Sequence, residues 1–190
     1  MKGFRYAVLT VSDRSARGQR EDLSGPAIER LLKALGGELL DRRVVPDEIH
    51  SIQEAIMEWT DRLRVDLVLT TGGTGVHPRD VTPEATRPLL DREIPGMAEA
   101  MRMASLNKTP HAMLSRAVVG IRGSCLVVNL PGSPSAATEN LEVILPALAH
   151  ALEKIQGDSG ECALSAPTVP STAEREVGVA SGRRRVEGPS

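Results

Sequence analysis

Aromatic residues are almost missing from this chain: one Trp, one Tyr and one Phe (Trp59, Tyr6, Phe4) occur in 190 residues. A core must therefore be assembled from Leu, Val, Ile, Ala and Met. Base-stacking nucleic-acid modules, which need aromatic platforms, are disfavoured. No excess of positive charge compensates, because the formal net charge is −2 and leaves no basic footprint for a duplex. Cysteine is scarce as well. Cys125 and Cys162 lie far apart without metal-ligand spacing, and Cys125, in an apolar run, reads as a small buried hydrophobe. The histidines His50, His77, His111 and His150 form neither HxxxH nor HExxH, so no zinc site is expected.

Long apolar runs are also lacking. No stretch approaches the ~20 apolar residues of a membrane span, and the chain enters a strand-like run directly after Met1-Lys2, without a signal-type apolar region. The expectation is a reduced, cytoplasmic protein that binds neither membrane nor nucleic acid. Two nucleotide fingerprints are missing too. The chain has no GxxxxGK[ST], which removes support for a P-loop NTPase. SDRSARG after the first strand-like run does not supply the GxGxxG of a dinucleotide-binding oxidoreductase.

What is present is an alternation of β-rich runs and helical periods. Arg5–Val11 reads as a buried strand. Ser24-Gly25-Pro26 opens a helix with Ile28, Leu31, Leu32 and Leu35 on one side, closed by Gly36-Gly37. Glu38–Val45 reads as a second strand, and Ile49, Ile52, Ile56, Trp59 and Leu63 mark the stripe of the next helix. Asp66–Thr71 is a third strand. A short helix is expected at Thr82-Pro83 and a longer one from Pro95 with Met97 and Met101 on one side. Residues Ala117–Asn129 read as two strands around an Arg122-Gly123 turn. A last helix runs from about Ser135 to Ile155, with Leu141, Leu145, Leu148, Leu152 and Ile155 inward and a kink or break expected at Pro146.

This order predicts an α/β domain over residues 1–156, with a mainly parallel sheet covered by helices on both faces. From Gly157 the composition turns to Ser, Pro, Gly and charge, ending in Arg183-Arg184-Arg185, and reads as a disordered tail. In parallel sheets ligands bind at the carboxyl ends of the strands, and the unusual loops of this chain all fall there. LTTGGTGVHPRDVTPEAT (Leu69–Thr86) follows the third strand. Its glycines allow successive N–H groups to converge on an anion, although a bare GGTG is equally an ordinary turn.

Asp80 sits just beyond that loop, and a carboxylate beside phosphate needs an intervening cation. Mg²⁺ commonly fills this role with one or two carboxylates plus substrate phosphates. Capping of the helix at Thr82 is the alternative, with Thr82 the better placed cap. Asp47, in VVPDE, ends the second strand. It either caps the following helix or shares a metal or nucleophile-orienting task with Asp80. Val128–Ser133 (VNLPGS) offers Asn129 and a Pro131-Gly132 turn, with Ser133 or Ser135 as an ordinary helix cap. Ser12-Asp13-Arg14 occupies the corresponding place after the first strand. His77 reads as an exposed loop histidine, and Arg79 as a candidate phosphate neutraliser.

Taken together, TVSDR (Thr10–Arg14), VPDE (Val45–Glu48), TTGGTG (Thr70–Gly75), RDVTPEAT (Arg79–Thr86), EIPG (Glu93–Gly96) and NLPGSP (Asn129–Pro134) resemble the Mog/MoaB-type molybdenum-cofactor biosynthesis proteins, in order, over about residues 4–156. The resemblance implies a three-layer α/β/α domain that assembles as a homo-oligomer, a trimer or in some members a hexamer. It also implies adenylylation of molybdopterin by Mg-ATP with release of pyrophosphate. A non-catalytic pterin-binding or scaffold role, as in the MoaB-type branch, is the alternative that stays open. On the matching positions, Asp47 and Asp80 are implied as the functional and metal-holding carboxylates. Thr71, Gly72, Gly73, Thr74 and Gly75 are implied in the ligand pocket, with Ser12 and Asp13 beside it and Asn129, Pro131, Gly132 and Ser133 on the pterin side.

Overall fold

The computed structural model describes residues 3–157. The tail reading, Cys162 and the Arg183–Arg185 run lie outside the described residues. In chain order the elements are β1 (Phe4–Val11), α1 (Asp13–Ala16), α2 (Ser24–Ala34), β2 (Gly37–Val45), α3 (Ile49–Met57), β3 (Leu67–Thr71), α4 (Thr82–Thr86), β4 (Arg92–Glu93), α5 (Pro95–Leu106), β5 (Val119–Arg122), β6 (Cys125–Leu130) and α6 (Pro134–Ile155).

The six-stranded sheet has the order β2-β1-β3-β6-β5-β4. β1 pairs in parallel with β2 and β3, and β3 in parallel with β6, whereas β5 and β4 close the sheet antiparallel. Strand alternation sends side chains into two cores. Tyr6, Val8, Leu67, Leu69, Leu126 and Val128 face α2, α5 and α6. Ala7, Leu9, Val68, Cys125 and Val127 face the layer that holds Ile52, Ile56 and Trp59 of the α3 segment and Ala85 of α4. This is the three-layer α/β/α arrangement that the run of strands and helices predicts.

Several elements differ from the sequence expectations, each for a local reason. The stripe after β2 is buried at Ile52, Ile56 and Trp59 but not at Ile49 or Leu63. Beyond Met57 the helix widens into a π turn over Glu58–Arg62, closed by a Leu63 N–H to Glu58 C=O bond of 3.0 Å. The wider turn breaks the 100° phase, so Leu63 leaves the buried face. Leu35 is likewise exposed, because it caps the end of α2. Pro146 neither breaks nor ends α6, which runs continuously to Ile155. The proline stands on the exposed side of the helix, where water can satisfy the carbonyl it leaves without a donor. β4 was not anticipated: two exposed charged residues carry no alternation to betray a strand.

Candidate active site

Because β1, β2, β3 and β6 run parallel, their carboxyl ends lie along one edge, and the loops after them meet there. The loop after β3 is held by glycine geometry. Gly72 and Gly73 take φ of 101° and 63°, a region that strains any residue with a Cβ. A Cβ on Gly72 would also run into the Val11 carbonyl at the end of β1. The Gly72 amide donates to Leu130 O at 3.2 Å, while the amides of Gly73, Thr74 and Gly75 donate to no other described residue. These are the groups an anion can use. Thr82 is buried and donates its hydroxyl to Gly72 O at 2.8 Å, while its amide donates to Gly73 O at 3.0 Å. Thr82 therefore ties α4 to the glycine loop rather than capping it, and Val81 is the cap residue.

Two of the cavities at this edge are lined by Gly73 and Gly132. The smaller, of about 290 Å³, is lined mainly by polar groups, among them Ser12, Asp22, Ser24, Asp47, Thr71 and Ser133. The larger, of about 440 Å³, takes in Thr74, Gly75, Pro131, Arg102, Lys108 and His111. Gly73, Asp80 and Gly132 line both. Asp80 is thus the one carboxylate that belongs to the wall between the two.

The acidic groups are organised by one another. The Asp13 amide donates to Asp47 Oδ2 at 2.7 Å, and the Asp47 amide donates to Asp13 Oδ1 at 3.2 Å. Asp13 in turn receives Arg79 through both Nε (3.0 Å) and Nη2 (2.9 Å). That guanidinium holds the Asp13 carboxyl below the usual carboxylate range. Asp47 goes the other way: burial raises its pKa, and the like charges of Asp13 and Asp80 add to the rise. Asp47 does not cap α3, whose cap position is Glu48. Asp80 accepts the His77 amide at 2.8 Å through Oδ2.

Among the described residues no group of three or more His, Cys, Asp or Glu side chains is placed to hold a metal ion alone. The chemistry of the donors nevertheless fits Mg²⁺ shared with a ligand. Both side-chain bonds of Arg79 go to Asp13, so the mutually repelling Asp47 and Asp80 are left with a local excess of negative charge, and phosphates and water can complete the shell.

Most of the residues singled out in the sequence come together here, but Asn129 does not. It is fully buried, and its amide donates to the hydroxyls of Thr70 (2.9 Å) and Thr86 (3.0 Å) while its carbonyl accepts the Val118 amide. On β6 it shares the phase of Cys125 and Val127 and points into the second core, where these bonds join β6 to β3, α4 and the start of β5. Asp13 lines neither cavity and stands behind Asp47. Ser12 and Ser133 line the smaller cavity, but both hydroxyls already cap helices, accepting the Ser15 and Ala136 amides.

Other site residues escaped the sequence reading. Asp22 accepts the Ser24 and Gly25 amides and the Thr10 hydroxyl. Ser24 donates to Gly132 O at 2.8 Å. Their DLSGP segment was legible only as a helix start. Arg102, Lys108 and His111 carried no motif at all.

Residues 7–150 match the family model described as Probable molybdopterin binding domain. The chain belongs to this family. Among curated relatives, "Gephyrin" of Dictyostelium discoideum is 51% identical over 76% of this chain, which spans only 21% of that protein. "Molybdopterin adenylyltransferase" of Helicobacter pylori (strain J99) is 41% identical over 83% of this chain and 91% of its own length. Among solved structures, the molybdopterin biosynthesis enzyme MoaB of Thermus thermophilus superposes with a TM-score of 0.78. It is 52% identical and covers 82% of this chain and 98% of that one.

Proposed function

We propose that this chain acts in molybdenum cofactor biosynthesis as a nucleotidyltransferase, transferring AMP from ATP to molybdopterin with release of pyrophosphate. The observation that carries the reading is the shared wall: two cavities of different polarity meet at Gly73, Asp80 and Gly132. A transfer between two substrates needs such a meeting point, whereas a single-ligand binder does not. The adenylyltransferase name of relatives similar over most of this chain supports the same chemistry.

In the reaction a terminal phosphate oxygen of the pterin bonds to the α-phosphorus of ATP. The bond from that phosphorus to the bridging oxygen breaks, and pyrophosphate leaves with the electron pair. The nucleophile is already anionic, so no strong general base is required, and positioning with charge neutralisation does most of the work. The amides of Gly73, Thr74 and Gly75, which donate to no other described residue, are the donors this reading assigns to the developing negative charge. Asp80 and Asp47 would hold Mg²⁺, which supplies charge neutralisation between the carboxylates and the phosphates. Arg79, fixed on Asp13, sets the position of the Asp13–Asp47 pair rather than acting as the phosphate neutraliser.

A homo-oligomer, a trimer or hexamer, accords with the exposed apolar side chains of Met103, Leu106, Met113 and Leu114. The described residues include no helix long and apolar enough to cross a membrane. A cytoplasmic location suits an enzyme that consumes ATP.

The deciding experiment is AMP incorporation by the purified full chain with molybdopterin, ATP and Mg²⁺, following adenylylated pterin and pyrophosphate. Product that disappears when Mg²⁺ is withdrawn supports the transferase. Pterin binding without product overturns it in favour of a non-catalytic binding module.

A further inference from the structure

Arg116 stands in the connection between the 3₁₀ turn Pro110–Leu114 and β5. Its amide and its side chain both reach into the loop that carries Asp80. The amide donates to Thr74 O at 2.9 Å. In the side chain, Nε donates to Gly75 O at 2.6 Å and Nη2 to Asp80 O at 2.6 Å, while Nη1 pairs with the Glu84 carboxylate. One guanidinium therefore pins the start of the loop, its end and the first turn of α4. Segment 76–79 is left as a bulge pinched at its neck.

The neck fixes the carboxylate as well as the backbone. A Cβ on Gly75 would stand 2.8 Å from Asp80 Oδ2, so the glycine leaves room for the acid to lie against the chain. The same oxygen accepts the His77 amide, and the Asp80 amide donates to His77 O at 2.8 Å. The direction of the Asp80 side chain thus follows the closed 75–80 ring. That ring is fastened by Arg116 on one side and by the Thr82 amide to Gly73 O bond on the other.

We infer that Arg116 is the positioning residue for Asp80: its guanidinium, spanning Gly75, Asp80 and Glu84, holds the Asp80 carboxylate at the wall between the two cavities. The inference rests on the adenylyl-transfer reading for its kinetic part. Its geometric part stands on the bonds themselves. Lysine can replace the fork only in part, because an ammonium has no planar set of donors to span three separated acceptors at once. Displacements of about 1 Å at a reacting centre are enough to cost roughly 100-fold in rate.

The test uses the full chain and its Arg116→Gln, Arg116→Lys and Glu84→Gln variants, with kcat and KM measured separately. Arg116→Gln is expected to lose roughly 100-fold in kcat with KM for either substrate within about 3-fold. Arg116→Lys should recover part of the loss, and Glu84→Gln, which removes a single partner, should lose only about 2- to 5-fold. In an Asp80→Asn background Arg116→Gln should cost little more, since residues that act through one another are not additive. Hydrogen exchange gives a readout apart from turnover: amides of 75–84 should exchange about 10-fold faster in Arg116→Gln while the β3 and β6 amides stay protected.

Arg116→Gln turnover within about 3-fold of the parent, or a loss that adds in full to that of Asp80→Asn, overturns the inference. If the unmodified chain transfers no AMP, the functional reading has failed, and the exchange experiment alone judges the clamp. Unchanged exchange over 75–84 then overturns it.

Discussion

Asp13 and Asp47 hold each other through a reciprocal pair of bonds, each backbone amide donating to the other's carboxylate at 2.7 and 3.2 Å. The two residues are 34 positions apart in the chain, and the bonds lock the end of β1 to the end of β2. They also bring two negative charges together, one relieved by Arg79 and the other half-buried.

That arrangement predicts a stability cost at Asp47. Its folded pKa is raised, by burial first and then by Asp13 and Asp80. The folded state therefore binds the proton more tightly than the unfolded chain, whose value is near 3.8. The site is at its most stabilising below that unfolded value, and stability is lost as pH rises through the raised folded pKa. Asp47→Asn, whose amide oxygen can still accept the Asp13 N–H, should raise the thermal midpoint in Mg²⁺-free buffer at pH 7 by about 2 °C, after allowance for solvent screening. The gain should vanish in melts below pH 3.8. A lower midpoint at pH 7 would contradict the assignment of strain to this carboxylate.

Asp80→Asn should fold as the parent does, since the side chain is only partly buried and its amide oxygen can still accept the His77 N–H. AMP transfer should fall by roughly 100-fold or more, read as pyrophosphate release beside a far-ultraviolet circular dichroism spectrum. Full turnover in a folded variant would remove Asp80 from the mechanism.

Gly72→Ala tests the close approach of the glycine loop to β1. The φ of 101° and the Val11 carbonyl leave no place for a methyl group. A loss of about 2 kcal/mol is expected, seen as a melting temperature lower by about 4–8 °C. An unaltered melt would show that the loop can relax without harm.

Asn129→Ala separates structure from binding. Removing the amide leaves the Thr70 and Thr86 hydroxyls and the Val118 amide without their buried partner, at about 2–3 kcal/mol. Chemical denaturation should record that loss, while KM per folded molecule stays within about 2-fold. A large rise in KM with unchanged stability would restore Asn129 to the ligand pocket.

Much of the fold was legible because apolar period and glycine placement are local properties. β1, β2, β3, the β5–β6 hairpin and α6 follow from runs of Leu, Val and Ile between turn residues. β4 did not, since Arg92-Glu93 has no apolar face and becomes a strand only by pairing with Gly120 and Ile121. Leu63 misled because a π turn leaves no mark in a helical period. Asn129 reads as a loop residue from its place in NLPG, whereas its period-two phase with Cys125 and Val127 points it inward.

The sequence by itself determined every strand but β4, and that glycine loops and aspartates follow the parallel ones. Parallel pairing then necessarily gathers those loops at one edge. It could not determine which acid pairs with which cation. The Asp13–Arg79 bridge, the Asp13–Asp47 exchange and the grip of Arg116 on Gly75 and Asp80 join residues 66, 34 and 36–41 positions apart. Such contacts depend on strand order, on the phase of each side chain and on the path of a loop, all of which are set only when the sheet has closed and its helices have packed.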